Sequence, residues 1–267
     1  MRAALRSELR KLLSTRLWWV LLLAMAAYLV FIGATLGLAL ALGGDVGESG
    51  GAPVLGGVDA ATTVYSLVSA IGYVFPLVVG SLAVTTEFRH HTITQTLLAE
   101  PRRGVLLAAK LLATVPVGLL YGVVGALAIV LGGAPALAVA GDGAFLTDGD
   151  VVQVLLLDVL VTVLWALLGA AFGLLVTQQV AAIVIILAFT QFVEPVARLA
   201  LGAVDALAGV AAFLPGAAAD ALIGASFFGE LGSGDLLPRW AGALVLLAYI
   251  AVFATIGRIT TLRRDVA

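Results

Sequence analysis

Residues 17–42, 64–84, 111–131, 151–176 and 240–256 form five long, almost unbroken apolar runs. A bilayer core about 30 Å thick takes roughly 20 residues of helix to cross, and each run meets that length or nearly so. The runs are too long and too continuous for barrel strands, which are about ten residues long and alternate in polarity. The third helix is predicted to begin earlier, near Val105, and the fourth is interrupted only by Gln153, Asp158 and Thr162. A further helix, the fifth in chain order, starts at Val180, but Glu194-Pro195 arrives early, only about 21 Å along at 1.5 Å per residue. From there the chain stays apolar but is broken by Asp205, Pro215 and Asp220, with Gly202, Gly209, Gly216 and Gly224 scattered through it.

Composition agrees with a lipid solvent. The chain is 62% hydrophobic and 11% charged, with a mean hydropathy of +1.17, where soluble domains carry about 25% charged residues. Twelve of its fourteen basic residues fall in three clusters. They are Arg2, Arg6, Arg10, Lys11 and Arg16; then Arg89, Arg102, Arg103 and Lys110; then Arg258, Arg263 and Arg264. The loops 43–60 and 132–150 hold only acidic charges, namely Asp45, Glu48, Asp59, Asp142, Asp148 and Asp150. Basic residues near membrane ends stay cytoplasmic, so both termini are expected in the cytosol. That parity makes 196–237 a re-entrant helical hairpin on the outer side, since irregular backbone at membrane depth must pack on protein or line a cavity. Seven crossings are the alternative count.

The expected fold is therefore an all-α integral membrane protein of six transmembrane helices. The predicted spans are 17–42, 61–84, 105–131, 151–176, 180–195 and 238–257, followed by a cytoplasmic tail, 258–267. The first apolar run exceeds the 7–15 residues of a signal-peptide core, so it is read as a retained span. Before it, Leu5, Leu9, Leu12 and Leu13 share one helical face beside basic residues, predicting an amphipathic interfacial helix over 1–16. A plain positive flank accounts for the same residues. Trp18 and Trp19 suit an interfacial aromatic belt.

Between the second and third spans stands TTEFRHHTITQTLLAEPRRG, residues 85–104. Thr92-Ile93-Thr94-Gln95 matches a capping box. Ile93, Leu97 and Leu98 form an apolar side, and Pro101 ends the helix because the residue before a proline leaves helical angles. A helix of about two turns does not hold itself in water, so it needs support from membrane, protein or partner. A topogenic loop is the competing reading.

On the basic N-terminal helix running into LRKLLSTRLWWVLLL, on EFRHHTITQTLLAEPRRGVLLAAK and on the hairpin region, the chain resembles the membrane subunit (permease) of bacterial type-2 ATP-binding-cassette exporters over essentially its whole length. The resemblance implies that 87–104 is a cytoplasmic coupling segment docking on a nucleotide-binding subunit. The contact would involve Glu87, Phe88, Arg89, Thr92, Ile93, Gln95, Leu97 and Leu98, flanked by Arg102 and Arg103. It further implies an ATPase subunit in trans carrying ATP and Mg, a second permease chain, identical or related, and a bacterial plasma membrane. Export is the expected direction.

The lysine of a G-x-x-x-x-G-K-[ST] phosphate loop has no match here, because Lys11 and Lys110 are each followed by leucine. No cofactor is expected on this chain. Its basic clusters follow membrane topology, so nucleic acid is not an expected partner, whereas lipid is. His90 and His91 read as solvated loop residues, and no intramembrane Ser-His or metal-ligating set is apparent. Gly33/Gly37, Gly118/Gly122 and Gly169/Gly173 permit close helix approach, general packing being favoured over a dimer face. Pro76 and Pro116 are expected to kink their helices. Asp158, inside the fourth span, is a candidate pathway or gating residue, since a carboxylate near the bilayer centre costs about 2.5–3.5 kcal/mol. It also has two structural outlets, the outer interface and Thr162. Glu194 and Arg198 are candidates of the same kind, or an ion pair at the hairpin base. Two other classes stay open: a proton-coupled secondary transporter using Asp158 and Glu194, and a non-transporting membrane assembly protein.

Overall fold

The computed structural model describes residues 2–43, 56–139, 143–226 and 236–261, in which every regular element is helical. Asp45, Glu48, Asp142, Arg263 and Arg264 lie outside these residues. Among the described residues six helices are long and apolar enough to cross a membrane: Leu17–Leu40, Gly57–Arg89, Arg103–Val139, Gly149–Leu175, Gln179–Gly202 and Arg239–Thr260.

In chain order, α1 (Arg2–Ser14) leads into α2 (Leu17–Gly43). The second span comprises α3 (Gly57–Tyr65), a π-helical turn at Val68–Gly72, and α4 (Val74–Arg89). The short α5 (Ile93–Ala99) precedes α6 (Arg103–Val139) and α7 (Gly149–Leu175). The fifth span joins α8 (Gln179–Ala188) through a second π-helical turn, Phe189–Val193, to α9 (Glu194–Gly202). Then come α10 (Asp205–Ala211), α11 (Pro215–Ile223) and α12 (Arg239–Thr260).

The fifth helix does not stop at Pro195, as its sequence predicts, but runs on to Gly202. A proline ring clashes with the carbonyl four residues back. For Pro195 that residue is Gln191 and for Pro76 it is Gly72, and both lie inside a π-helical turn. The widened turns re-register the backbone where each ring would collide. Pro116 and Pro135 are carried within α6.

The second span is the most enclosed, with 78% of its most apolar window buried, against 22% for both the first and the fifth. It packs along α7, which also meets α6 and α12, while α2 lies along α6. The α4–α7 approach is set by glycines. A Cβ on Gly169 would sit 2.0 Å from the Leu77 carbonyl oxygen, and one on Gly80 would sit 2.0 Å from that of Ala166. The stripe Gly118/Gly122 faces Val163 and Val159, and Gly33/Gly37 faces Ile129 and Ala136. All three glycine pairs serve packing within the chain.

All nine residues of α11 are buried, against α12, α7 and the first π-helical turn. Pro215 sits in its first turn, and Gly224 ends it at φ +81°, a left-handed angle that glycine adopts without a Cβ clash.

Candidate functional site

The turn from α4 into α5 is closed by backbone chemistry. The Thr92 N–H donates to the Glu87 carbonyl at 2.9 Å and the His91 N–H to that of Phe88 at 3.3 Å, with His91 at φ +56°. This is a Schellman ending with histidine in place of glycine. The predicted capping box does not form: the Thr92 hydroxyl turns back to the Glu87 carbonyl at 3.4 Å and makes no cap bond to α5. Helix α5 ends at Ala99, and Glu100, just before Pro101, is extended.

Under this turn lies a closed set of four charges. Lys110 Nζ is 2.7 Å from Glu87 Oε1 and 2.9 Å from Glu8 Oε2. Lys11 Nζ is 2.8 Å from Glu87 Oε1 and 2.7 Å from Glu8 Oε1. Each acid thus touches both bases, and the set is neutral. It joins α1, the end of α4 and the start of α6. Lys11 also donates to the Thr96 hydroxyl at 3.0 Å, and Thr96 donates to the Thr92 carbonyl at 3.1 Å, which brings α5 into the set. Glu8, Glu87 and Lys110 are buried. Burial pulls the Lys11 pKa down, but the hydrogen bonds and charges of Glu8 and Glu87 outweigh it, leaving the ammonium above its ordinary 10.5.

The residues named from the sequence thus divide. Glu87 faces inward and is spent on the two lysines. Ile93 is buried, and Phe88 packs on Val84, Ala170 and Leu174. Arg89 donates to the Gln179 side chain at 3.2 Å, tying α4 to the start of α8. Leu97 is half-buried, while Gln95 is exposed and Leu98 is 78% exposed. Arg102 is exposed and bonded to Glu100 at 2.9 Å, which lowers the glutamate's pKa and raises the arginine's. Arg103 opens α6 and is half-buried. A cleft of about 560 Å³ separates α1 from α5, lined among others by Ser7, Glu8, Gln95, Thr96 and Glu100.

A second polar cluster lies between α7, α9 and α11. Arg198 is bonded to Asp220 at 2.6 Å, and the Ser226 hydroxyl donates to the same carboxylate at 2.7 Å. Glu194 accepts from the Gly216 N–H. Asp158 is fully buried, so it does not reach the surface, and the Thr162 hydroxyl bonds its main-chain oxygen rather than its carboxylate. Tyr73, just after the first π-helical turn, donates to the Thr190 carbonyl in the second at 3.2 Å and lies against Trp165, ring centroids 4.3 Å apart. Beside this cluster is an apolar cavity of about 350 Å³, whose lining includes Leu77, Trp165, Phe172, Phe189, Tyr249 and Phe253.

Glu8, Lys11, Lys110, Thr96 and Asp220 do not stand out as site residues in the sequence. One signal was present: Lys11 and Lys110 are the only two lysines in the chain, and Glu8 is the one acid in α1. Comparison of the chain with protein-family models and with curated proteins found no match.

Proposed function

We propose that this chain is the permease subunit of an ATP-driven exporter in a bacterial plasma membrane, with both termini in the cytosol. On this reading α1 is an amphipathic helix at the cytoplasmic lipid surface. The described segment after Gly202, through α10 and α11, is a re-entrant hairpin on the outer side. Helix α5 is the coupling helix, docked on an ATPase subunit that holds ATP and Mg. Two permease chains, identical or related, complete the pathway.

One observation carries the reading. A helix too short to be stable alone is bonded through Thr96 to a buried charge set that clasps α1, α4 and α6 together. Its outer residues Gln95 and Leu98 stay exposed. A push on α5 therefore moves two spans and α1 as a unit. Nucleotide-driven closure of the partner supplies the push, and the pathway shifts because the partner binds its two conformations with different free energy.

The test is affinity capture of the full-length chain from detergent extracts, followed by a vanadate-sensitive ATPase assay on the captured material. Capture of an ATP-hydrolysing subunit, lost on deleting residues 92–98 while membrane insertion persists, is the expected result. Flux driven by the purified chain alone, without ATPase, overturns the reading.

A further inference from the structure

Three buried carboxylates and one guanidinium occupy the cluster between α7, α9 and α11, and their hydrogen bonds are unevenly shared. Asp220 takes Arg198 and Ser226, and Glu194 takes the Gly216 N–H. Asp158 takes nothing: it is 0% exposed and neither carboxylate oxygen has a hydrogen-bond partner. It stands roughly 13 Å along α7 from its start, beneath the first π-helical turn. The Ser69 backbone N–H faces the carboxylate closely enough to favour its ionised form, but it falls outside hydrogen-bond geometry and is bonded to the Ser66 carbonyl at 3.0 Å.

The Ser69 hydroxyl and the Trp165 ring N–H are also buried without a partner and neither bonds the carboxylate, and the ionisable groups packed around α7 supply no counter-charge. Asp220 of α11 is the charged neighbour whose field reaches Asp158, and it has the same sign. Four tyrosines surround the helix, and each hydroxyl proton is committed elsewhere. Tyr65 donates to Ala144, Tyr73 to Thr190, Tyr121 to Trp18 and Tyr249 to Phe213, all to carbonyl oxygens. The remaining charges on the adjoining elements sit near helix ends. Asp59 and Arg239 stand at one end, and Glu87, Arg89, Arg103, Lys110 and Arg258 at the other. An unpaired carboxylate in such a place is one of the costliest groups a fold can hold, and neutralisation is the usual outcome.

We propose that Asp158 is a proton-binding site, occupied when α7 is packed against the π-helical turn of the second span. The proton is the ligand that a fully buried carboxyl can take without further space, and Asp158 does not line the apolar cavity beside the cluster. Separation of α7 from that turn admits water, and the hydrated carboxyl ionises and releases the proton. The packed state therefore holds one more proton than the hydrated state, so acidification favours packing. By reciprocity, whatever parts the two helices lowers proton affinity at Asp158. The site belongs to this chain alone and does not depend on any partner subunit.

The test is infrared spectroscopy of the full chain in lipid vesicles at neutral pH, reading the C=O stretch of protonated carboxyl groups in H₂O and D₂O. Wild type should show the band, D158N should lose it, and D220N should keep it. The rise in melting temperature from mildly alkaline to mildly acidic buffer should likewise shrink in D158N. Absence of the band from wild type, or its persistence unchanged in D158N, overturns the assignment. Should D158N fail to fold, E194Q and D220N decide: a band that survives both supports Asp158, and a band that either abolishes overturns it.

Discussion

Lys110 and Glu87, 23 residues apart in sequence, meet at 2.7 Å with both side chains almost completely buried, the only such contact between α6 and the last turn of α4 among the described ion pairs. Burying two ions is repaid only when geometry and further bonds are good; here Glu8 adds a bond to Lys110 and Lys11 a second one to Glu87 Oε1, while Glu87 Oε2 takes none. Removing one member strands an uncompensated charge. Lys110→Met should therefore destabilise the fold by about 3–5 kcal/mol. Chemical denaturation in mixed micelles measures it, and a double-mutant cycle with Glu8→Gln should show strong coupling. Additive losses would mean that the four charges act separately.

The outer face of α5 answers a different question. Leu98→Glu changes a residue that is 78% exposed, so insertion and melting should be unchanged within about 0.5 kcal/mol. If α5 is the coupling helix proposed above, capture of an ATP-hydrolysing partner should nonetheless be lost. Thr96→Val should cost about 1 kcal/mol by removing the Lys11 bond. On the proposed reading it should also lower transport more than it lowers capture, since it loosens α5 from the charge set without altering its outer face.

Glycine substitutions should separate sharply by position. A side chain on Gly169 meets the Leu77 backbone at 2.0 Å, and a backbone has nowhere to move without parting α4 from α7. Gly169→Val should yield no folded protein in size-exclusion profiles. Gly149→Ala, with open space around its Cβ, should behave as wild type or gain slightly.

The raised pKa of Lys11 fixes the sign of an alkaline transition. A base held above its ordinary 10.5 contributes stability that is fully present below that value and lost as pH rises through the folded-state pKa. Docking of α1 should hold constant from neutral pH to about 10 and weaken above it. The chain has no cysteine, so spin labels on cysteines introduced at Arg6 and Gln95 report the distance cleanly. Loosening on acidification through neutrality instead would assign the docking to other groups.

How far the sequence reaches is clearest at the helix-breaking prolines. Apolar run length marks six helices, but Pro195 reads as an end where the fold makes a passage. A π-helical turn leaves no periodicity signal in five residues, so its accommodation of the ring is invisible beforehand. Thr92 shows the same limit. Its spacing to Gln95 fits a capping box, yet the preceding helix captures its hydroxyl first.

Helices of membrane-spanning length, their order, the short α5 before Pro101 and the absence of strands from the described residues follow from the sequence itself, because run length and proline position are local properties. Only the tertiary structure decides the pairings. It turns Glu87 inward to Lys11 and Lys110, gives Arg198 to Asp220 across 22 residues, and leaves Asp158 without a donor. Charge pairing in a low-dielectric interior is set by which helices the glycines let approach. That approach is a property of surfaces meeting, not of any single stretch of chain.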